Sequence, residues 1–223
     1  MPNNPMQPGR LARPKLLVLG ATGGTGRRIV AQAIERGFEV TALVRSPQKA
    51  ADLAGGARIV VGDARDEAAL VRALEGQDGV VSALGTPASP FREVTLLSEA
   101  TRALTRAMTT TGVSRLIAIT GLGAGDSRGH GGVLFDRVIV PLLLRRVYRD
   151  KDRQEAIVRA SGLDWVLVRP SILNNKPARG SVRALTDLAD VHGGSVSRDD
   201  VARFVLDQVE TDGWLRQAPL VTW

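Results

Sequence analysis

Gly20, Gly23 and Gly26 stand at intervals of three in the segment KLLVLGATGGTGRRIVAQAIERG, between an apolar run and an amphipathic stretch that ends at Gly37. A strand that turns directly into a helix needs residues without a β-carbon where the chain reverses. The helix that follows aims unsatisfied N–H groups and the positive end of its dipole into the turn. The chemistry of such a turn is the holding of an anion, above all the pyrophosphate of a dinucleotide. Gly20 is expected to make the turn, Gly23 to allow close approach of the anion, and Gly26 to let helix and strand pack. The spacing GxxGxxG is one residue wider than GxGxxG.

About 20 residues past the turn, where an acidic residue would hold a bare ribose, the next apolar run ends Leu43-Val44-Arg45-Ser46. An acid there would repel a 2′-phosphate. Arg45, helped by Lys49 and Arg27, can instead form charge-assisted bonds to one, so NADP(H) is favoured over NAD(H). Other reactive groups are few. The chain has no cysteine, which removes disulfides, zinc–thiolate sites and thiol nucleophiles, and no metal is expected. His130 stands alone in a glycine-rich stretch and reads as solvated, and His192 has no better claim.

The elements that must position these residues follow from the pattern of apolar runs. Strands are predicted over Lys15–Gly20, Phe38–Val44, Arg58–Gly62, Gly79–Leu84, Arg115–Thr120 and Trp165–Arg169, with helices over Gly24–Arg36, Glu67–Glu75 and Phe91–Thr111. Continuous runs such as LLVLG and RLIAIT suit strands covered on both faces, and the alternation of strand and helix predicts a parallel sheet with crossover helices. The fold class is therefore α/β: a Rossmann-type doubly wound sheet in three layers, α/β/α, forming a single domain from residue 15 to 223 after a flexible leader over residues 1–14. Gly121, Gly123, Gly125, Gly129, Gly131 and Gly132 predict a mobile loop at a strand's carboxyl end. A helix over Val133–Ser161, bent or interrupted at Pro141, and a last helix over Asp199–Val209 capped by Ser197 complete the chain before a short run, Pro219–Trp223.

Composition bounds the partners. The formal charge is +7, but all of the 30 basic residues except Lys15, Lys49, Lys151 and Lys176 are arginine, spread among acids along the chain, and aromatics make up only 4%. Little is left to stack on bases, so no nucleic-acid partner is expected. The longest apolar stretch, Val138–Leu144, contains Pro141 and falls far below the roughly 20 residues that span a bilayer. The start lacks the apolar centre of a secretory signal. The expectation is a cytoplasmic monomer or homodimer with a small-molecule substrate and no membrane partner.

The motifs GATGGTG, LVR, VVGDA, ALGT, a strand ending in IT, and SGLDWVLVRPSIL together resemble the atypical short-chain dehydrogenase/reductases, most of all the NmrA-like proteins and the biliverdin reductase B/flavin reductase group, over Lys15–Arg203. The resemblance implies that Gly20, Thr22, Gly23, Gly24, Thr25 and Gly26 hold the pyrophosphate while Arg45 and Lys49 hold the 2′-phosphate. It places Asp63 and Ala64 beside the adenine and Ala83, Leu84 and Gly85 along the far ribose, with Thr120, Pro170, Ser171 and Ile172 beside nicotinamide. Carbonyl-reducing relatives use a Tyr-x-x-x-Lys pair, in which lysine lowers the tyrosine pKa and binds ribose. Lys151 matches that lysine, but the position four before it is Val147, and Tyr148 lies on a shifted helical face. Gly121 stands where reductase-like relatives often have serine. Lys151, Thr120 and Tyr148 remain the candidate catalytic residues, with Lys151 also a cofactor contact.

A weakened acid suits acceptors that spread incoming charge over a conjugated system. The leading expectation is an NADPH-dependent reductase of a flavin, quinone or similar molecule. The alternative is an NADP(H)-binding redox sensor of the NmrA type without turnover. A sugar epimerase or dehydratase ranks last, because 223 residues leave little room for a sugar-nucleotide domain.

Overall fold

A computed structural model describes residues 13–223 apart from Ala54, Pro90 and Asp190, so the expected leader, but for Arg13 and Pro14, lies outside the described residues. Strand β1 (Lys15–Leu19) sends Leu16 and Val18 to one face of the sheet and Leu17 and Leu19 to the other, all fully buried. That is why its apolar run is unbroken. Helix α1 (Gly24–Glu35) returns the chain to β2 (Glu39–Val44), which pairs parallel with β1, and β3 (Ala57–Val61) extends the sheet beyond β2.

After α2 (Glu67–Leu74), whose N-terminal N–H groups are capped by Asp66, the chain crosses to β4 (Gly79–Ser82) on the other side of β1. Helix α3 (Leu96–Thr111) and β5 (Arg115–Ile119) follow. The expected helix from Phe91 begins five residues late. Its cap comes from elsewhere: the buried Asp150 carboxylate accepts from the N–H groups of Leu97 (2.8 Å) and Ser98 (3.3 Å).

The stretch from Val133 is helical through Ala160, as expected, but Pro141 does not break it. Pro141 cannot donate to the preceding turn, and the backbone takes a wider π winding over Phe135–Leu144 before α4 (Arg145–Ala160) resumes normal geometry. Strand β6 (Asp164–Pro170) pairs parallel with β5. Three short strands not expected from the sequence come next: β7 (Ile172–Asn174), β8 (Arg183–Leu185) and β9 (Ser195–Ser197). Helix α5 (Arg198–Glu210), capped by the Ser197 hydroxyl as expected, leads to β10 (Leu220–Thr222).

The main sheet runs β3-β2-β1-β4-β5-β6-β10-β8, parallel except for β8, while β7 and β9 form a small parallel pair. One core layer packs α1 and α5 on the sheet, and the opposite layer packs α2, α3 and α4. The result is the three-layer Rossmann-type α/β domain the sequence implied. Strand order reverses at β1, between β2 and β4, so a crevice opens beyond the carboxyl ends of these strands. None of the described helices is long and apolar enough to cross a membrane.

Candidate functional site

The glycine turn sits at that crevice. Gly20 adopts φ +74°, and a β-carbon on it would run into the backbone of Ala83 at the end of β4. A β-carbon on Gly26 would strike the Gly20 carbonyl oxygen, so this third glycine lets α1 close onto the turn. The Gly23 N–H donates to Gly20 O at 3.0 Å and starts the helix. These are cradles that side chains would fill, which is the fit a diphosphate requires.

A cleft of about 600 Å³ extends from the turn. It is lined by Gly20, Thr22, Gly23, Gly24 and Thr25, by Arg45 beyond β2, by Asp63 and Ala64 beyond β3, by Ala83, Leu84 and Gly85 beyond β4, and by Thr120 and Lys151. Gly26 lies beneath the turn rather than in the lining. Lys49 is also outside it: Lys49 sits in a short turn over Pro47–Ala50, where its carbonyl accepts from Arg27. Arg27 is itself held by Asp52, Lys49 O and Thr22 O, so Arg45 stands without their help at the cleft. Asp63 accepts from the Arg65 side chain, which, with the charge of Arg45, holds its carboxyl down at about 2 despite partial burial.

Sequence reasoning missed Arg198. The first residue of α5 lines the cleft with its guanidinium beside Gly24, where a β-carbon would lie 3.1 Å from Arg198 Nε, and Asn175 fixes it by accepting at 2.9 Å. No local pattern could signal it, because the residue reaches the turn only through the packing of α5 on α1.

At the far end of the cleft a second cavity of about 240 Å³ is lined by Phe135, Leu122, Pro170, Ser171, Ile172 and Leu173, together with Thr120, Tyr148 and Lys151. Lys151 Nζ donates to Thr120 O at 2.7 Å and lies 5.0 Å from the centre of the Tyr148 ring. Burial pushes the Lys151 ammonium down to about 8, with Glu155 pulling the other way. Burial, with Asp136 nearby, pushes the Tyr148 phenol up to about 12, and its hydroxyl donates to Leu122 O at 2.8 Å. The Thr120 hydroxyl points to buried Glu155 (2.8 Å) and the Ser171 hydroxyl to Thr222 (3.0 Å). Glu155 is paired in turn with buried Arg169.

The glycine-rich segment expected to be mobile is instead pinned. Gly123 N–H donates to Ser127 Oγ, Gly125 N–H to Asp152 and Gly131 N–H to Asp136, and Leu122 and Ala124 are buried. Some of its glycines serve close approach: a β-carbon on Gly121, at φ +154°, would lie 2.8 Å from Lys151 Nζ, and one on Gly123 2.9 Å from the Tyr148 ring. The absence of serine at 121 thus leaves room for the lysine. His130 faces Val191 O at 3.3 Å and does not line either cavity.

A family described as NAD(P)H-binding matches residues 20–212. The chain belongs to it. Within the atypical short-chain dehydrogenase/reductases, this NAD(P)H-binding chain is 30% identical over 202 residues, 88% of each chain, to the uncharacterized sugar epimerase YhfK of Bacillus subtilis. It is 28% identical to a (4-alkanoyl-5-oxo-2,5-dihydrofuran-3-yl)methyl phosphate reductase of Streptomyces griseus, over 70% of this chain and 46% of that one. Among solved structures, the anaerobillin reductase ChuY of Escherichia coli O157:H7 is similar with a TM-score of 0.79 and 25% identity, over 93% of this chain and 96% of that one. The family match, the S. griseus reductase and ChuY support an oxidoreductase built on a nicotinamide cofactor.

Proposed function

We propose that this protein is an NADPH-dependent reductase that delivers hydride to a conjugated small molecule such as a flavin or a quinone. The cofactor supplies the hydride when bound. Gly20 to Gly26 and Arg198 hold the pyrophosphate, Arg45 selects the 2′-phosphate, and Lys151 orients the nicotinamide half.

The observation that carries the reading is the direction of the hydroxyls. Each one lining the smaller cavity donates into the protein: Thr120 to Glu155, Tyr148 to Leu122 O, Ser171 to Thr222. An isolated carbonyl needs a positioned acid as the hydride arrives, and a conjugated acceptor does not. Lys151 is the one charged group among the described residues lining that cavity, and its ammonium balances the negative charge the acceptor gains. The apolar walls, Phe135, Pro170, Ile172 and Leu173, suit a flat ring.

Reductase activity in the S. griseus relative and in ChuY supports the same class of reaction. The sugar-epimerase name of the B. subtilis relative favours a different one, but a phenol raised to about 12 and bonded to a carbonyl is a poor base for a sugar hydroxyl. Stopped-flow mixing of the NADPH-loaded protein with quinones and flavins tests the reading. Rapid loss of the reduced-nicotinamide absorbance is expected. Tight NADPH binding with no oxidation by any acceptor would replace it with a nucleotide sensor of the NmrA type.

A further inference from the structure

The helix beside the smaller cavity turns an apolar face to solvent. Val133 is 73% exposed, Leu134 66%, Val138 44%, Leu142 68% and Leu143 52%. The π winding over Phe135–Leu144 stacks residues four and five apart, so Leu134, Val138, Leu142 and Leu143 form one row. Arg137, Arg145 and Arg149 are exposed on the same segment, and none has a carboxylate partner among the described residues. The acid on that stretch, Asp136, faces inward and accepts from Gly131 N–H. An apolar row with an arginine border has the chemistry of a helix that lies in the interface of an anionic bilayer.

A second copy of this chain fits the face less well. Self-pairing would bring arginine against arginine on a molecule of formal charge +7. The position of the face adds a functional argument. Phe135 of the same segment and the 58% exposed Ile172 line the cavity proposed to take the acceptor, so the cavity opens alongside the row.

We propose that the Val133–Leu143 face seats the protein on an anionic membrane surface and that its acceptor is a lipophilic, membrane-dissolved molecule. The seat is peripheral: none of the described helices could span a bilayer, but the proposal replaces the expectation, from the sequence, of no membrane partner. The second half of the proposal rests on the reductase reading.

The test sediments the full chain with vesicles of phosphatidylcholine, with and without phosphatidylglycerol, alongside the double variant Leu134→Glu/Leu142→Glu. Both leucines are exposed and outside the cavity linings, and NADPH binding checks that the variant is folded. Partition onto the anionic vesicles is expected to exceed that onto pure phosphatidylcholine by about tenfold or more, and to collapse in high salt and in the variant. No sedimentation with anionic vesicles overturns the proposal. So does a dimer in sedimentation velocity that the variant dissolves, which would assign the face to a second copy. A water-soluble quinone, assayed in parallel, separates the two readings. If it is reduced while vesicles are not bound, the membrane seat falls and the reductase stands; if vesicles are bound and neither it nor a long-chain quinone dissolved in them is reduced, the seat stands and the reductase reading falls.

Discussion

The ammonium of Lys151 donates to the main-chain carbonyl of Thr120 at 2.7 Å, tying α4 to the end of β5 beside the smaller cavity. Burial lowers this lysine from 10.5 to about 8, so it is charged at neutral pH and loses its proton as pH rises through 8. Acceptor reduction is expected to fall with an inflection near pH 8, and Lys151→Met to lower the rate and abolish the inflection. Stability moves the other way. The unfolded chain holds this proton more tightly than the folded one, so burying the ammonium is destabilising below pH 8 and the cost is relieved between 8 and 10.5. Lys151→Met is therefore expected to melt higher than the parent at pH 7 and to lose that advantage by pH 10.5, as thermal unfolding at the two pH values would show.

Tyr148 occupies the neighbourhood of a catalytic phenol without its electrostatics. Its hydroxyl is bonded to Leu122 O and its pKa is raised to about 12, whereas an acid–base tyrosine needs the opposite shift. Tyr148→Phe is expected to leave the rate with a quinone within about threefold and to cost about 1 kcal/mol of stability from the lost hydrogen bond. A rate loss of about 100-fold or more, on the scale of a missing general acid, would make Tyr148 the proton donor.

Arg45 and Arg198 line the same cleft, Arg45 beyond β2 and Arg198 beside Gly24, and they should fail differently. Arg45 lines the cleft beyond β2, and on the proposed reading it selects the 2′-phosphate, so Arg45→Gln is expected to weaken NADP by about 10- to 100-fold and leave NAD nearly unchanged. Arg198 lies over Gly24 at the start of α1, so Arg198→Gln is expected to weaken both dinucleotides by a similar factor and to leave 2′-AMP, which lacks a pyrophosphate, unaffected. Calorimetric titration of NADP, NAD and 2′-AMP against the two variants reads these five outcomes.

The parts of this molecule that were legible in the sequence are those written in contiguous residues. Strands β1, β2, β4, β5 and β6 announce themselves because both faces are buried, as Leu16 and Leu17 show by entering opposite core layers, and the edge strand β3 by its run of β-branched residues. The glycine turn is legible for the same reason: its constraint lies within seven residues, with Gly26 packed on Gly20. What stayed hidden depends on contacts across the fold. Asp150 sets the start of α3 from 53 positions away, Arg198 joins the turn from the last helix, and β7 to β9 are three residues each, too short to carry a period. The run from Gly121 misled for a physical reason. Glycine content signals freedom in isolation, but here a β-carbon on Gly125 would come within 2.5 Å of Glu155 and 2.6 Å of Arg169, so Gly121, Gly123, Gly125 and Gly131 mark tight packing, unlike Gly129 and Gly132, which have open space.

That packing surrounds a buried ion pair whose energetics can be tested directly. Arg169 and Glu155 are 1% and 2% exposed, joined by Nε to Oε1 at 2.9 Å and a second guanidinium nitrogen to Oε2 at 2.5 Å, and Thr120 also donates to Oε1. Asp126 pairs with the same arginine from the surface. Glu155→Ala would leave the guanidinium buried against Asp126 alone and is expected to cost about 3–5 kcal/mol in urea unfolding. The double variant Glu155→Leu/Arg169→Met removes both charges and is expected to recover most of that loss, because two apolar chains need no solvation in this site. Neither residue lines a cavity, so the double variant should also bind NADPH with near-parental affinity. If Glu155→Ala costs under about 1 kcal/mol, water reaches the pair and its burial is not what holds Thr120 in place.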